Sequence, residues 1–174
     1  DILDTARIES GEFDLDLSPM NLAGILHEAH SLWNVQAQSK GVGLNLEGVA
    51  SVDRVVLGDP VRLRQIINNL VSNALKFTER GSVTIRAEAL KGERVRVSVI
   101  DTGVGFGDDF RDRIFSRFQQ ADGSITRRFG GSGLGLNISN QLARMMGGKL
   151  DCVSAPGVGS TFWFEVVLPD NNGK

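Results

Sequence analysis

The sequence predicts an α/β fold, a two-layer sandwich in which helices cover one sheet. Helix-like segments, with apolar residues three or four positions apart, occur together with strand-like segments in which apolar and polar residues alternate. The strands mostly follow one another along the chain, which argues against regularly alternating βαβ units. With 174 residues, of which 41% are hydrophobic, the chain is long enough to bury one core without disulfide bonds.

The first forty residues predict the end of a helix, a strand and a long helix. Residues 1–12 carry a weak apolar stripe, and the alternating FDLDL at 13–17 predicts a strand. Ser18 followed by Pro19 has the pattern of an N-cap and a first-position proline. We therefore expect a helix that begins here and ends near Lys40.

The next segment predicts two short strands and a second helix. The strands are expected near 42–47 and 53–57. Asp59 and Pro60 then repeat the pattern of an N-cap and a first-position proline. The second helix should therefore span about 60–77.

Two long alternating segments predict a β-hairpin. SVTIRAEAL and RVRVSVID alternate apolar and polar residues and are separated by Lys91, Gly92 and Glu93. Residues 103–132, which follow, are rich in glycine, arginine and aspartate, and only a short helix near 108–115 is expected among them. A loop of this length in a compact domain is usually functional.

The C-terminal part predicts a third helix and a final pair of strands. The helix is expected from about Gly133 to Met146. Two strands, at 149–154 and 160–168, are joined by the turn APGVG. Residues 171–174 form a polar tail that is expected to fray.

The composition excludes several classes of protein. The 19 Lys+Arg and 21 Asp+Glu residues leave a net charge of −2, which argues against a nucleic-acid binder that neutralises many phosphates. The single cysteine, Cys152, is expected to be a buried structural thiol, and no Cys/His spacing indicates zinc. No apolar run is long enough to span a bilayer, so no direct membrane contact is expected from this segment.

The helix predicted at 60–77 carries an unusual polar stripe. Beside its apolar face lie Arg62, Gln65, Asn69, Asn73 and Lys76. Each asparagine within a helix costs about 0.5–0.7 kcal/mol relative to alanine, so its presence calls for a reason. A carboxamide oxygen is a hard neutral ligand suited to Mg²⁺, and a lysine can bind phosphate as a point charge. An ordinary solvated face is an equal alternative.

A carboxylate ends the apolar stripe of the strand RVRVSVID. Val97 and Val99 share a face with Asp101, so this side chain is expected to be buried and to need hydrogen-bond donors. The donors could be backbone N–H groups of the following turn, DTGVGFG, or the exocyclic amine of an adenine. The glycines of that turn also permit a close approach of backbone to a flat ligand.

Two further glycine motifs follow. RRFGGSGLGL leads directly into the third helix, and backbone N–H groups at such a helix N-terminus form an anion site. GVGSTF enters the last strand and is better explained as a tight turn than as a ligand contact. None of the glycine runs has P-loop or strict Rossmann spacing, and the HRD and DFG kinase signatures are absent. A phosphate site in this chain would therefore have to belong to a different type of nucleotide-binding fold.

Taken in order, QIINNLVSNALKFTERG, DTGVGF, FSRF, GGSGLGL and GVGSTF resemble the N, first-glycine, F, second-glycine and third-glycine boxes of sensor histidine kinases. The resemblance covers about 60–168. It implies the Bergerat-type ATP-binding fold, with a mixed sheet of about five strands and three helices on one face. ATP would lie between the helix 60–77 and the loop near 103–132, which would act as a lid.

The resemblance also implies roles for single residues. Asn73 resembles the Mg²⁺ ligand, and Asn69 is the polar residue one turn before it. Lys76 would reach a phosphate, and Phe77 takes the place of an aromatic that often flanks the base. Asp101 would accept a hydrogen bond from the adenine amine.

Further residues are assigned to nucleotide binding by the same resemblance. Those near the adenine are Gly103, Gly105 and Thr161. Those that would anchor the lid are Phe115 and Phe118. Those at the phosphates are Gly131, Gly133, Leu134 and Gly135. Arg127 and Arg128 are candidates for compensating the γ-phosphate charge, with a solvated basic loop as the alternative; Arg128 joins Asn69 and Lys76 as a catalytic candidate.

Asn69 separates kinases from hydrolases within this fold. The ATPases of the fold place a glutamate at this position to activate water, and an amide cannot accept a proton near neutral pH. Transfer of the phosphoryl group is therefore favoured over attack by water, with catalysis by positioning and charge stabilisation. A hydrolase and an ATP-sensing module without transfer are the alternatives.

The phosphoacceptor histidine of the family lies on a helical hairpin that precedes the catalytic domain. Residues 1–12 would be the stub of that dimerisation-domain helix, and 13–170 the catalytic domain. His27 and His30 lack the sequence context of the acceptor and are expected on a helix surface. The expected ligands are ATP and Mg²⁺. The expected partners are the phosphoacceptor domain of the same polypeptide and a receiver domain or response regulator, in a hybrid kinase with a cytoplasmic catalytic domain.

Overall fold

The computed structural model of the chain describes residues 15–105, 107 and 133–170. Its elements are β1 (Ser18–Asn21), α1 (Leu22–Lys40), β2 (Val42–Glu47), β3 (Val55–Gly58), α2 (Pro60–Phe77), β4 (Gly81–Ala89), β5 (Arg94–Asp101), α3 (Gly133–Met145), β6 (Lys149–Ala155) and β7 (Gly159–Val167). The helix stub expected at 1–12, the helix expected near 108–115 and the tail at 171–174 lie outside the described residues.

Five of these strands form one mixed sheet in the order β2-β4-β5-β7-β6. β2 and β4 are parallel, and the other neighbouring pairs are antiparallel. β1 and β3 form a separate two-stranded sheet. The three α-helices of the described residues pack on one face of the large sheet. The predicted two-layer sandwich, with a mixed sheet of about five strands and three helices, is therefore confirmed.

Strand alternation decides which face of the sheet is buried. Val97 of β5 and its cross-strand partner Phe164 of β7 are fully buried, and their neighbours two residues away on each strand are buried too. The intervening residues form the opposite face, where Arg96 Nε donates to a Glu165 oxygen at 2.8 Å. The hydrophobic core therefore lies between the sheet and the helices, and the site described below is at the end of this layer.

The strand predicted at 13–17 is wrong for residues 15–17, which are irregular, whereas residues 13 and 14 lie outside the described residues. The strand here is β1, which begins at Ser18 and pairs antiparallel with β3. Pro19 lies within it, opposite Leu57, and a proline is tolerated in an edge strand because one side needs no N–H donor. The partner strand is remote in sequence, so the residues around Ser18 carry no local sign of the pairing.

The first long helix consequently begins at Leu22 and not at Pro19. The N-cap expected at Ser18 is wrong: Asn21 is the cap, and its Oδ1 accepts a hydrogen bond from Ala23 N at 2.9 Å. The C-terminal end at Lys40 agrees with the prediction.

The remaining predicted elements are present with small differences in their ends. The hairpin of β4 and β5 and the closing pair of β6 and β7 are confirmed. A short 3-10 helix, Val49–Val52, was not predicted, because four residues are too few to show a period.

α2 begins and ends where the sequence predicts. Asp59 is its N-cap: one carboxylate oxygen accepts from Arg62 N at 3.2 Å, and the other accepts from Asp16 N at 2.9 Å. The residue is only 3% exposed. Asp59 therefore ties the N-terminal segment to the helix that carries the polar stripe.

Replacing Asp59 with alanine should lower the free energy of unfolding by about 2 kcal/mol, because a helix cap is lost and the partly buried N–H groups of Arg62 and Asp16 lose their acceptor. Urea denaturation followed by circular dichroism measures the change. The control is Asp53→Ala: Asp53 is exposed and accepts from the Asn21 side chain, so its loss should cost about 0.5 kcal/mol or less. Equal losses in the two variants would contradict the structural role of Asp59.

Candidate functional site

The predicted polar stripe of α2 is partly covered by the rest of the protein. Asn73 is 4% exposed, Asn69 is half-buried and Lys76 is exposed. Nearer the helix N-terminus, Arg62 donates to Gln65 Oε1 at 3.0 Å. An ordinary solvated face would leave these side chains in water, so the burial of Asn73 favours a functional stripe.

A hydrogen bond joins the stripe to α3. Asn69 Nδ2 donates to Ser139 Oγ at 3.1 Å, and Ser139 is 1% exposed. α2 and α3 are therefore fixed side by side at this point. Ser139 is a residue that the sequence analysis missed, since a serine within an apolar helical period carries no signal of its own.

Asp101, the last residue of β5, receives backbone donors at one carboxylate oxygen. The residue is 3% exposed, and its Oδ1 accepts from Gly103 N at 2.9 Å and from Ser160 N at 3.2 Å. Its Oδ2 is buried and has no hydrogen-bond partner among the described residues. Burial raises the pKa of Asp101 above its usual value, although the two backbone hydrogen bonds act to lower it.

The unpaired oxygen indicates a ligand. A buried acceptor without a donor costs about 1–3 kcal/mol, so this arrangement suits a molecule that brings its own N–H group. The sequence left two kinds of donor open for Asp101. Backbone N–H groups serve Oδ1, and Oδ2 is left for a donor such as a purine amine.

The turn after Asp101 is held between α2 and the turn that joins β6 to β7. Val104 N donates to Phe77 O at 3.3 Å, and Gly157 N donates to Val104 O at 2.7 Å. A Cβ atom at Gly103 would lie well inside contact distance of the Phe77 carbonyl oxygen, and one at Gly105, which has φ 67°, would overlap the next turn. The close approach that these glycines permit is therefore to protein backbone. It keeps the end of α2 beside Asp101.

Gly103→Ala should lower the free energy of unfolding by about 1–3 kcal/mol, because the turn must move away from α2. Thermal unfolding measures the effect. Gly107→Ala is the matched control, since a Cβ atom there would meet no atom of the described residues within 4 Å. A Gly103 variant as stable as the control would show that the turn does not depend on this contact.

The third-glycine box places Ser160 and not Thr161 on the side of Asp101. Ser160 is the cross-strand partner of Asp101 and is 3% exposed. Its Oγ lies 2.7 Å from Ser154 Oγ. Thr161 pairs with Ile100 and points to the opposite face of the sheet. The alternation that buries Phe162 was the signal that could have identified Ser160.

The residues that the sequence analysis assigned to the phosphates are only partly among the described residues. Gly133 is the first residue of α3, and Leu134 and Gly135 follow it, so the predicted helix N-terminus after the glycine run is present. Phe77 closes α2 and packs partly buried against the core. The sequence-predicted residues outside the described ranges are Phe115, Phe118, Arg127, Arg128 and Gly131.

Magnesium would be held mostly by phosphate and water oxygens. Residues 15–105, 107 and 133–170 contain no cluster of three or more His, Cys, Asp or Glu that could hold a metal ion. Mg²⁺ is typically bound by one or two protein oxygens together with nucleotide phosphates. The buried carboxamide of Asn73 fits that requirement.

The two histidines and the cysteine are not part of the polar stripe of α2. His27 is exposed as expected, whereas His30 is partly buried and lies with its Nε2 2.8 Å from Leu44 O. Cys152, the single cysteine of the sequence, is buried, as predicted. Within the described part of the chain, no helix combines the length and the apolar character needed to cross a membrane.

Known proteins are similar to this chain in sequence and in fold. Residues 58–170 match the sequence profile of the family described as histidine kinase-, DNA gyrase B-, and HSP90-like ATPase. The signal transduction histidine-protein kinase BarA of Escherichia coli K12 is 43% identical over 175 residues, a match that covers 98% of this chain and 19% of BarA. The chain thus spans about a fifth of the length of this relative.

Two solved structures extend the similarity to three dimensions. Full-length ShkA in complex with AMPPNP matches with a TM-score of 0.84 at 38% identity, over 98% of this chain and 35% of ShkA. Histidine kinase ThkA in complex with the response regulator protein TrrA matches with a TM-score of 0.71 at 25% identity, over 95% of this chain and 46% of ThkA.

Proposed function

Because this chain belongs to the family of histidine kinase-, DNA gyrase B- and HSP90-like ATPases, as a sensor histidine kinase catalytic domain, we propose that it binds Mg-ATP and transfers the γ-phosphoryl group to a histidine. That histidine would lie on a phosphoacceptor domain of the same, longer polypeptide. The chemistry is phosphoryl transfer, in which a protein acts mainly by positioning the reactants and stabilising charge.

The unpaired Oδ2 of Asp101 is the observation that carries the proposal. The exocyclic amine of adenine supplies the N–H that this buried oxygen lacks. Phe77 lies at the end of α2 next to the turn after Asp101, in a position to flank the base. The geometry therefore supports an adenine nucleotide, since guanine presents a carbonyl oxygen where adenine presents the amine.

The phosphates would extend along α2 and towards the start of α3. Asn73 would supply a carboxamide oxygen to Mg²⁺, and Lys76 would bind a phosphate oxygen through its ammonium group. When bound, the metal ion neutralises charge on the β- and γ-phosphate oxygens. The helix N-terminus at Gly133 would bind phosphate through backbone N–H groups.

Asn69 supports transfer over hydrolysis. Its amide donates to Ser139 and has no basic group with which to remove a proton from water. The acceptor would then be a nucleophile other than water, which fits a histidine on a separate domain.

The longer polypeptide would place this domain in a two-component system. Residues 1–12 would end the dimerisation helix, and residues 13–170 would form the catalytic domain. A response regulator or a receiver domain would accept the phosphoryl group from the histidine. The similar histidine kinase ThkA forms a complex with the response regulator protein TrrA. ATP is supplied in the cytoplasm, so the domain would act there.

Two measurements test the proposal. Calorimetry with a non-hydrolysable ATP analogue and Mg²⁺ should show binding that the corresponding GTP analogue does not match. Radiolabelled ATP, incubated with the chain and a separate phosphoacceptor domain of its polypeptide, should give acid-labile label on that domain and none on the chain. Absence of nucleotide binding would overturn the assignment of the site. Binding without labelled histidine would favour an ATP sensor, and steady phosphate release by the chain alone would favour a hydrolase.

A further inference from the structure

The side chain of Asn69 is oriented by a residue of another helix. Its Nδ2 donates to Ser139 Oγ at 3.1 Å, across 70 positions of sequence. A carboxamide has a donor end and an acceptor end of nearly equal size. When the donor end faces α3, the acceptor oxygen faces away from Ser139.

We propose that Ser139 is a positioning residue that holds the Asn69 carboxamide with its oxygen, and not its NH₂ group, available to the nucleotide site. The inference rests on the proposed function, because it assumes that the stripe of α2 meets the metal-bound phosphates. A carboxamide oxygen accepts hydrogen bonds from the water molecules of hydrated Mg²⁺. An NH₂ group in the same place would present positive hydrogens to the same water molecules.

The burial of Ser139 supports a specific role. Among the residues of α3 whose burial is described, the other buried positions are apolar: Leu136, Ile138, Leu142 and Ala143. Ser139 is as buried as they are, at 1% exposed, although alanine would favour the helix more and would leave no hydroxyl group to satisfy. The hydroxyl oxygen accepts a hydrogen bond from Asn69 Nδ2, so its presence is explained by what it does to that side chain.

The same contact connects Asn69 to the phosphate end of the site. Ser139 lies six positions after Gly133, the first residue of α3, and a helix transmits displacement along its axis. A phosphate that binds at this helix start would therefore also fix the serine. Ser139 links the two groups of residues that would surround the triphosphate.

The test uses the whole chain and the variant Ser139→Ala. In spectra of the nucleotide-free chain labelled with ¹⁵N, the side-chain amide of Asn69 should shift and exchange its protons faster in the variant. With a non-hydrolysable ATP analogue, the gain in affinity that Mg²⁺ produces should fall roughly 3- to 10-fold, as expected for loss of one hydrogen bond. Nucleotide affinity without Mg²⁺ should change less than about twofold.

A double-mutant cycle separates positioning from a general structural effect. In the Asn69→Ala background, Ser139→Ala should have no further effect on the Mg²⁺-dependent affinity. The matched control is Asn140→Ala on the neighbouring residue of α3, which removes the hydrogen bond that Leu150 N donates to Asn140 Oδ1 at 3.1 Å. It should lower the melting temperature and leave the Mg²⁺-dependent gain unchanged.

Three results would overturn the inference: an unchanged Asn69 amide signal, an unchanged Mg²⁺-dependent gain, or an equal effect of Ser139→Ala with and without Asn69. A wild-type chain that binds no Mg-ATP would instead overturn the proposed function. The amide signal would still show whether Ser139 holds the Asn69 side chain.

Discussion

Asp101→Asn is expected to lower the affinity for ATP about 100-fold, because hydrogen bonds to charged groups contribute about 1.5–3 kcal/mol. The asparagine oxygen can keep both backbone hydrogen bonds that Oδ1 accepts from Gly103 and Ser160. The NH₂ group would then take the place of Oδ2 and face the adenine amine, donor against donor. Calorimetry with a non-hydrolysable ATP analogue measures the loss.

The matched control for this variant is Asp151→Asn. Asp151 lies on β6 and pairs across the strands with Trp163 on the outer face of the sheet, so the same chemical change occurs away from the helix layer. Its affinity for the analogue should stay within about twofold of the wild type. An Asp101 variant that binds as tightly as this control would remove the adenine site from its proposed place.

The same substitution is expected to stabilise the nucleotide-free chain at neutral pH. Burial raises the pKa of Asp101 in the folded protein above the value of about 3.9 in the unfolded chain. The folded state therefore holds its proton to higher pH, and stability falls as pH rises from the unfolded pKa to the folded pKa. Above that window the ionised carboxylate is buried at its full cost, which a neutral asparagine does not incur.

Urea denaturation at several pH values tests the sign of this effect. The gain in unfolding free energy of Asp101→Asn over the wild type should be greatest at neutral pH. It should shrink as pH falls through the folded pKa towards the unfolded value. A difference that is independent of pH would show that ionisation of Asp101 does not limit stability.

Asn73→Ala is expected to abolish the contribution of Mg²⁺ to ATP binding. The substitution removes the buried carboxamide oxygen that would bind the metal ion, and loss of groups that support a metal typically costs about 10–100-fold in affinity. Calorimetry with the ATP analogue, with Mg²⁺ and with a chelator, measures the contribution directly. Binding without Mg²⁺ should be nearly unchanged, because the adenine contacts at Asp101 are kept.

Asn68→Ala provides the control on the same helix. Asn68 Oδ1 accepts from Trp33 Nε1 at 2.9 Å, so this asparagine faces α1 and not the proposed nucleotide site. Its loss should reduce stability and leave the Mg²⁺ contribution intact. If both asparagine variants lost that contribution equally, the effect would come from damage to α2 and not from a missing ligand.

Local patterns predicted most of the fold because they are properties of neighbouring residues. Asp59 caps α2 through a bond that spans three positions, and the hairpin of β4 and β5 follows from period-two alternation on both sides of a short turn. The N-terminal strand was predicted at 13–17 instead of Ser18–Asn21, because its residue Pro19 pairs with the remote Leu57 and the local pattern at Ser18 equally suits a helix cap. Because Ser18 and Pro19 pair with β3, they lie in a strand and do not begin the helix.

The candidate site was predicted unevenly for the same reason. Asn69, Asn73 and Asp101 stood out because their residue types break the rules of their own helix or strand. Ser139 and Ser160 did not, since a serine is compatible with either element. Each serine is part of the site only because it forms a hydrogen bond with a residue that is distant in sequence: Ser139 with Asn69 and Ser160 with Asp101.

The sequence by itself therefore determined the helices, most of the strands and the residue types that can bind a nucleotide, all of which depend on periodicity and on contacts a few positions apart. Only the tertiary structure decided that one oxygen of Asp101 is satisfied and the other is not, and that Ser139 orients Asn69. The bonds from Ser160 to Asp101 and from Asn69 to Ser139 span 59 and 70 positions. Such contacts arise from the packing of helices on a sheet, which brings together residues that no local pattern relates.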